Sequence, residues 1–438
     1  MTRTAMTRTK AALALGVAAA MVLPGCSAFG GGDSGTVTLT MVESLTNPTR
    51  TDLLDGLIAD FEEQHPNVEV NLVSPPTEQA DQKMQQMLMS GSGVDVLEVR
   101  DITVGPWSTN GWLHDMKADL ADWDGWQAMT ENAVNAADNG EGKTFYVPYG
   151  FYGLSLFYRA DLIAQAGFSA PPATWDELLQ QASAIHDPAQ RRYGYAFRGG
   201  NNANSNVTAA ISAYVADRID PANGFQLEDG STIFSAPEAK EAVETYFALF
   251  RTASAESSVS WGYPEMVEAF SNGSTAFLLQ DPEVIATVRE SQAISEDQWT
   301  TAPLPTGPSG KTVQPLASAG WGVAAASTHK PEAVELVKFL AGGEAAASFA
   351  KGNSLVPTLT SAGEDEFYRT GPWASYVTMT ENPETYLNVT QPRGVAWWTE
   401  WEQKADTDVQ QVLLGTMTPT DLLAEWDAFW TQKWQQGE

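Results

Sequence analysis

The chain has 438 residues, 24 basic and 55 acidic, for a formal charge of −31, and it holds a single cysteine. So negative a surface repels nucleic acid, and no nucleic-acid partner is expected. One cysteine permits no internal disulfide, which leaves stability to core burial, and the length points to two domains rather than one.

In chain order, Arg3, Arg8 and Lys10 precede an apolar run from Ala11 to Leu23 that is too short to span a bilayer as a finished helix. Residues 1–25 read as a signal peptide. The following Leu23-Pro24-Gly25-Cys26 resembles the lipobox of bacterial lipoproteins, in which the signal is cut before the cysteine and the thiol is acylated. The resemblance implies lipidation at Cys26, a tether over 26–35, and a body anchored to the outer face of the cell membrane. Proline before the glycine departs from the commonest box, and the other reading is a secreted protein whose cysteine is incidental.

Alternation from Thr36 to Met41 predicts a strand. Leu53, Leu54, Leu57, Ile58 and Phe61 share one helical face, which stops at His65-Pro66. Val68, Val70 and Leu72 form a second strand, 79–89 a second helix and 94–99 a third strand. That order predicts a parallel sheet with ligand beyond the carboxyl ends of its strands. A second α/β block opens with a strand at 154–158, and Thr174 with Glu177 forms a capping box. The polar stretch 200–208 reads as a loop. Helical spacing returns at 238–251 and 263–270, 321–324 reads as a short strand, and helices follow at 331–341 and 419–434. In the last of these, Trp426 and Trp430 are expected to be core. No internal repeat of solenoid length is visible.

Several segments in this order resemble the sugar- and oligosaccharide-binding extracellular solute-binding proteins of ABC importers. They are FEEQHPNVEV (61–70), SGSGVDVLEV (90–99), NGWLHDM (110–116), the run 142–178, FSNGSTAFLLQDP (270–282), APLPTGPSG (302–310), the run 320–342 and LVPTL (355–359). The resemblance implies an α/β, two-lobed periplasmic-binding-protein fold, type II-like, with a multi-crossing hinge and a ligand cleft between the lobes. Crossings are expected near 147–151, 317–322 and 355–360. Lobe one would hold 36–147 plus 320–356, and lobe two 150–317 plus 360–438. The implied partners are a sugar, permease subunits with a cytoplasmic ATPase, and the membrane through the lipid. A monomer is expected.

The same resemblance carries over residue by residue. Asn47 and Arg50 fall in the loop after the first strand. A cation suits a helix N-terminus poorly, which favours a ligand role for Arg50 over a solvated charge. Asp101 matches a cleft acid able to accept two sugar hydroxyls, against the alternative of an exposed loop aspartate. Trp261 and Tyr263 match a W-x-Y stacking element, which as two positions apart would need an extended or turning segment to reach one cleft; the alternative is a buried pair. Gly320 and Trp321 lie at the second crossing, with Trp321 as a second platform. Arg393 with Trp397 resembles a late arginine that closes over sugar, although Trp397, Trp398 and Trp401 equally suit one helical face. Tyr149 and Tyr152 are candidates for stacking or hydroxyl contacts. Tyr152 stands where relatives that bind α-linked glucose disaccharides often carry an aspartate, which separates this chain from a simple trehalose or maltose assignment.

The residues offer little to catalysis. His65, His114, His186 and His329 show no ligand-like pairing, and no G-x-S-x-G elbow or phosphate-cradling glycine loop occurs. Asp122-Trp123-Asp124-Gly125 has its glycine too early for a calcium loop. No cofactor, no metal and no enzyme activity are expected. The alternatives are another polar solute, such as a glycerol phosphate ester, or a secreted glycoside hydrolase. Phosphate would want more cleft cations than Arg50 and Arg393 provide.

Overall fold

Alternating apolar residues bury Leu39 and Met41 in strand β1 (Val37–Val42), which pairs in parallel with β2 (Val68–Val73) and β3 (Val96–Arg100). The computed structural model describes residues 35–44, 46, 48–138, 142–395 and 397–436, so Cys26 and Asn47 lie outside the described residues. Between β1 and β2 runs the helix Pro48–Gln64, burying Leu54, Leu57, Ile58 and Phe61 on one side. Between β2 and β3 runs Thr77–Ser90, closed by Gly91 in the left-handed conformation, whose N–H bonds to the Leu88 carbonyl.

From β4 (Val147–Gly153) the chain passes through Leu154 alone into β5 (Ser155–Arg159), which belongs to a different sheet. That second sheet also holds β6 (Tyr193–Tyr195), β7 (Thr275–Gln280) and β8 (Trp299–Ala302), in the order β8-β5-β7-β6. The chain then returns in β9 (Leu316–Val323), completing the first sheet as β2-β1-β3-β9-β4. The helices Pro48–Gln64 and Lys330–Ala341 cover the first sheet, and Trp175–Ile185, Pro237–Ala253 and Tyr263–Ser271 cover the second. The body is therefore two-lobed. The segments that link the sheets lie side by side: β4 pairs with β9, and Phe151 exchanges both backbone hydrogen bonds with Val356 at 3.0 Å.

Two predicted elements change. The strand expected at 321–324 begins at Leu316 because β9 is paired on both sides by β3 and β4. The stretch expected as a loop at 200–208 becomes the start of a helix, Ala203–Tyr214. Its cap comes from far along the chain. Asp406 accepts the backbone N–H groups of Asn202 at 2.6 Å and Asn204 at 3.0 Å, together with the Asn204 side-chain amide at 2.8 Å. Local propensity carries no trace of such a partner.

The C-terminal helices Trp398–Leu413 and Pro419–Gln435 pack on each other and on Phe225 and Phe234. Trp401, Trp426 and Trp430 are fully buried there, with ring centroids of Trp401 and Trp426 5.0 Å apart. Trp426 and Trp430 are core, as their helical spacing predicts, and Trp401 joins them. Among the described residues no helix is long and apolar enough to cross a membrane.

Candidate functional site

A cavity of about 320 Å³ opens beside the linking strands, at the small end of the range typical of ligand pockets. Tyr152 of β4 and Leu316 and Ala317 of β9 form one wall. The helix Ala203–Tyr214 forms the opposite wall with Asn204, Thr208 and Ser212, spaced by four so that they share one face. Gln280 and Asp281 enter from the end of β7, Tyr263 from the start of its helix, and Gln391, Arg393, Trp398 and Glu402 from the tail. Arg198 completes the lining, its Nε donating to the Asn201 carbonyl at 2.8 Å. Apolar ring faces among fixed polar groups suit a solute with both C–H faces and hydroxyls.

Of the residues expected at the site, the structure brings Tyr152, Tyr263 and Arg393 to this cavity. Arg393 donates to Asp101 at 3.0 Å. Asp101 is the first residue of the helix Asp101–Thr109 that follows β3 directly, so this ion pair ties the tail to the first lobe. Asp101 is not itself among the lining residues.

Arg50 sits elsewhere. It is buried in the first lobe, with Nη2 3.0 Å from Glu98 and Nε 3.5 Å from Glu43. Two carboxylates remove the objection to a cation at a helix start, so its position there is structural. Tyr149 is buried in the same cluster and donates its hydroxyl to Glu98, and Ser44 N–H donates to the other Glu98 oxygen at 2.6 Å. The Tyr149 oxygen also receives Arg50 Nη2 at 3.3 Å and lies 3.2 Å from the Tyr152 hydroxyl. This cluster thus meets the cavity at Tyr152. Burial pushes the Tyr149 hydroxyl well above its ordinary range, so it stays protonated.

Trp321 is 0% exposed, its ring packed 5.0 Å from Tyr149 and 5.8 Å from Phe349. It faces the core of the first lobe, so the expected stacking platform is absent from this wall. Gly320 likewise serves backbone packing: a Cβ there would stand 2.2 Å from the Val147 carbonyl oxygen, beside the register shift between β9 and β4. Trp397 is buried against Trp430, 4.5 Å between centroids, which leaves Trp398 to face the cavity. Trp261 is half-buried and outside the lining; extended Gly262, the N-cap of the helix Tyr263–Ser271, separates it from Tyr263.

Sequence reasoning passed over Arg198, Asn204, Thr208, Ser212, Asp281 and Glu402. The usable signal was the i, i+4, i+8 spacing of Asn204, Thr208 and Ser212, hidden by reading that stretch as a loop. Among the described residues, no group of His, Cys, Asp or Glu is placed to hold a metal. Asp281 and Glu283 follow the end of β7, where the Glu283 backbone N–H donates to the Asp281 carboxylate at 3.0 Å. Burial holds both carboxyls above the usual carboxylate range, and Asp281 adds to the effect on Glu283. Glu402 is raised by burial as well.

Residues 47–347 match the family model described as bacterial extracellular solute-binding protein. The chain belongs to that family. A probable ABC transporter-binding protein of Deinococcus radiodurans is 29% identical to this solute-binding protein over 234 residues, 51% of the chain and 54% of the relative; the match thus spans about half of that relative's length. An uncharacterized lipoprotein of Streptomyces antibioticus is 22% identical over 98% of the chain and 93% of its own length. Among solved structures, maltose-bound MalE3 of T. maritima superposes with a TM-score of 0.74 at 22% identity, covering 90% of the solute-binding protein and 98% of its own chain. At that identity the likeness shows the fold.

Proposed function

We propose that the chain is the substrate-binding lipoprotein of an ABC importer, capturing a di- or oligosaccharide between its two lobes and handing it to a membrane permease. The observation that carries this reading is the cavity itself, where Tyr152, Tyr263 and Trp398 offer ring faces among amide, hydroxyl and charged groups. Maltose in a structural neighbour supports the solute class. The lobes are taken as 36–147 plus 320–356 and 150–317 plus 360–438, swinging about the three adjacent linking segments. Sugar that bridges the lobes shifts the balance from open to closed, which needs roughly 5.5 kcal/mol of differential binding for a near-complete switch. The chain acts by binding alone, as a monomer. The glycerol phosphate reading is weaker, because the cavity's cations stand among carboxylates.

Calorimetry across mono- to tetrasaccharides tests the reading. At least one sugar should bind saturably and quench or shift tryptophan emission through Trp398; a panel without a binder overturns the assignment. The anchor is tested separately. Labelled palmitate should enter the wild-type protein and not Cys26→Ser, and equal labelling would refute lipidation at that thiol.

A further inference from the structure

We propose that the solute this cavity is built for carries a positive charge: a sugar or polyol in which a protonated amine stands in place of one hydroxyl. The inference rests on reading the cavity as the solute site, and it adds the charge of the ligand.

Arg198 and Arg393 line the site, Arg50 lies in the buried cluster that meets it at Tyr152, and carboxylates outnumber each. Arg50 lies between Glu43 and Glu98. Arg393 pairs with Asp101 and feels Glu402. Arg198 feels the charges of Asp406 and Asp281, and the Glu283 backbone N–H bonds to Asp281. Among the described residues the Glu283 carboxylate takes no hydrogen bond. Of these acids Asp281 and Glu402 line the cavity, and an acid partly removed from water is costly unless a cation joins it.

Hydrogen-bond polarity points the same way. Tyr149 gives its only proton to Glu98, so at the Tyr149–Tyr152 contact Tyr149 accepts and Tyr152 donates. Tyr152 therefore offers the cavity lone pairs and no proton. The charge of Glu283 acts on the Tyr152 and Tyr263 hydroxyls, and that of Asp281 acts on Tyr263 as well. Asp281 and the rings of Tyr152 and Tyr263 line the cavity, with Glu283 two residues further on and outside the lining, and an acid among electron-rich rings forms an environment for an ammonium group. At the opposite wall Ser212, 2% exposed, lines the cavity with its hydroxyl unpaired, a partner for a sugar oxygen. The ligand so described has one cationic end and a hydroxylated body.

Proton linkage follows. The groups acting on Asp281 are Arg198, Glu283, Tyr263 and Tyr376, and those acting on Glu283 are Asp281, Arg50, Glu98, Tyr152 and Tyr263. An arriving ammonium favours the ionised acids and so expels protons from this pair.

The test is titration calorimetry of the purified protein at neutral pH in two buffers of different ionisation enthalpy. The probes are hydroxyl and amino counterparts: glucose with glucosamine, galactose with galactosamine, and cellobiose with the deacetylated chitosan dimer. At least one amino member should bind about tenfold or more tightly than its counterpart, with proton release. In Glu283→Gln and in Asp281→Asn the preference should fall toward unity, each variant first shown to melt cooperatively. If hydroxyl sugars bind and no amino member binds better, the inference fails and the sugar-capture reading stands. If no member of any pair binds, both fail. An amino preference untouched by either substitution refutes the assignment to this acid pair.

Discussion

Glu98→Ala is expected to cost the fold about 3–5 kcal/mol, read as a lower urea midpoint with an unchanged slope. The carboxylate is fully buried on β3, where it satisfies the Ser44 N–H, the Tyr149 hydroxyl and Arg50 at once. Truncation removes the carboxylate closest to a buried guanidinium, whose distance to Glu43 is 3.5 Å, and leaves two further donors without their acceptor. The double change Arg50→Met with Glu98→Leu should recover most of the loss, because an apolar pair needs no compensation. A single variant as stable as the wild type would remove this cluster from the account.

The pH dependence has a defined sign. Burial alone would raise Glu98, but the Arg50 guanidinium, with the Tyr149 hydroxyl and the Ser44 amide, holds it below its ordinary value of 4.5. Its contribution is therefore full above that ordinary value and is lost as pH falls through the lowered one. Wild type and Glu98→Ala should converge in strong acid. Asp281 and Glu283 work oppositely: with folded values raised, their contribution is full in acid and lost as pH rises. The empty protein should thus be most stable at mildly acidic pH.

The first sheet was legible because its pattern is local. Val37, Leu39 and Met41, then the stripe from Leu53 to Phe61, announce β1 and its helix without any knowledge of the rest of the chain. Residue types at the site were far less legible. Trp321 and Arg50 are the kinds of residue that hold sugars, yet one fills a core and the other neutralises buried acids. What separates Trp321 from Trp398 is the direction each ring faces, which depends on β9 lying between β3 and β4 and on the tail returning over Phe225. Arg198 with Ser212, Asp281 and Glu402 come from three distant stretches. Only the assembled fold brings them together, and the helix bearing Ser212 owes its cap to Asp406.

Ala209→Trp should abolish solute binding, with at least a hundredfold loss, or about 2.7 kcal/mol, while cooperative unfolding is kept. Ala209 lines the cavity from the helix Ala203–Tyr214, and alanine leaves its share of the space open. An indole built there projects into a cavity of about 320 Å³ rather than into packed core, so the helix need not shift to accept it. The same volume is then denied to a sugar ring, and the faces of Tyr263 and Trp398 are covered. Ala209→Ser should bind nearly as the wild type does, which separates blockage from any effect on the helix. If Ala209→Trp still binds the sugar at wild-type affinity, the solute is held elsewhere. The acid pair at the end of β7 would then need another explanation, because the cost of burying Asp281 and Glu283 together is understandable only where a ligand repays it.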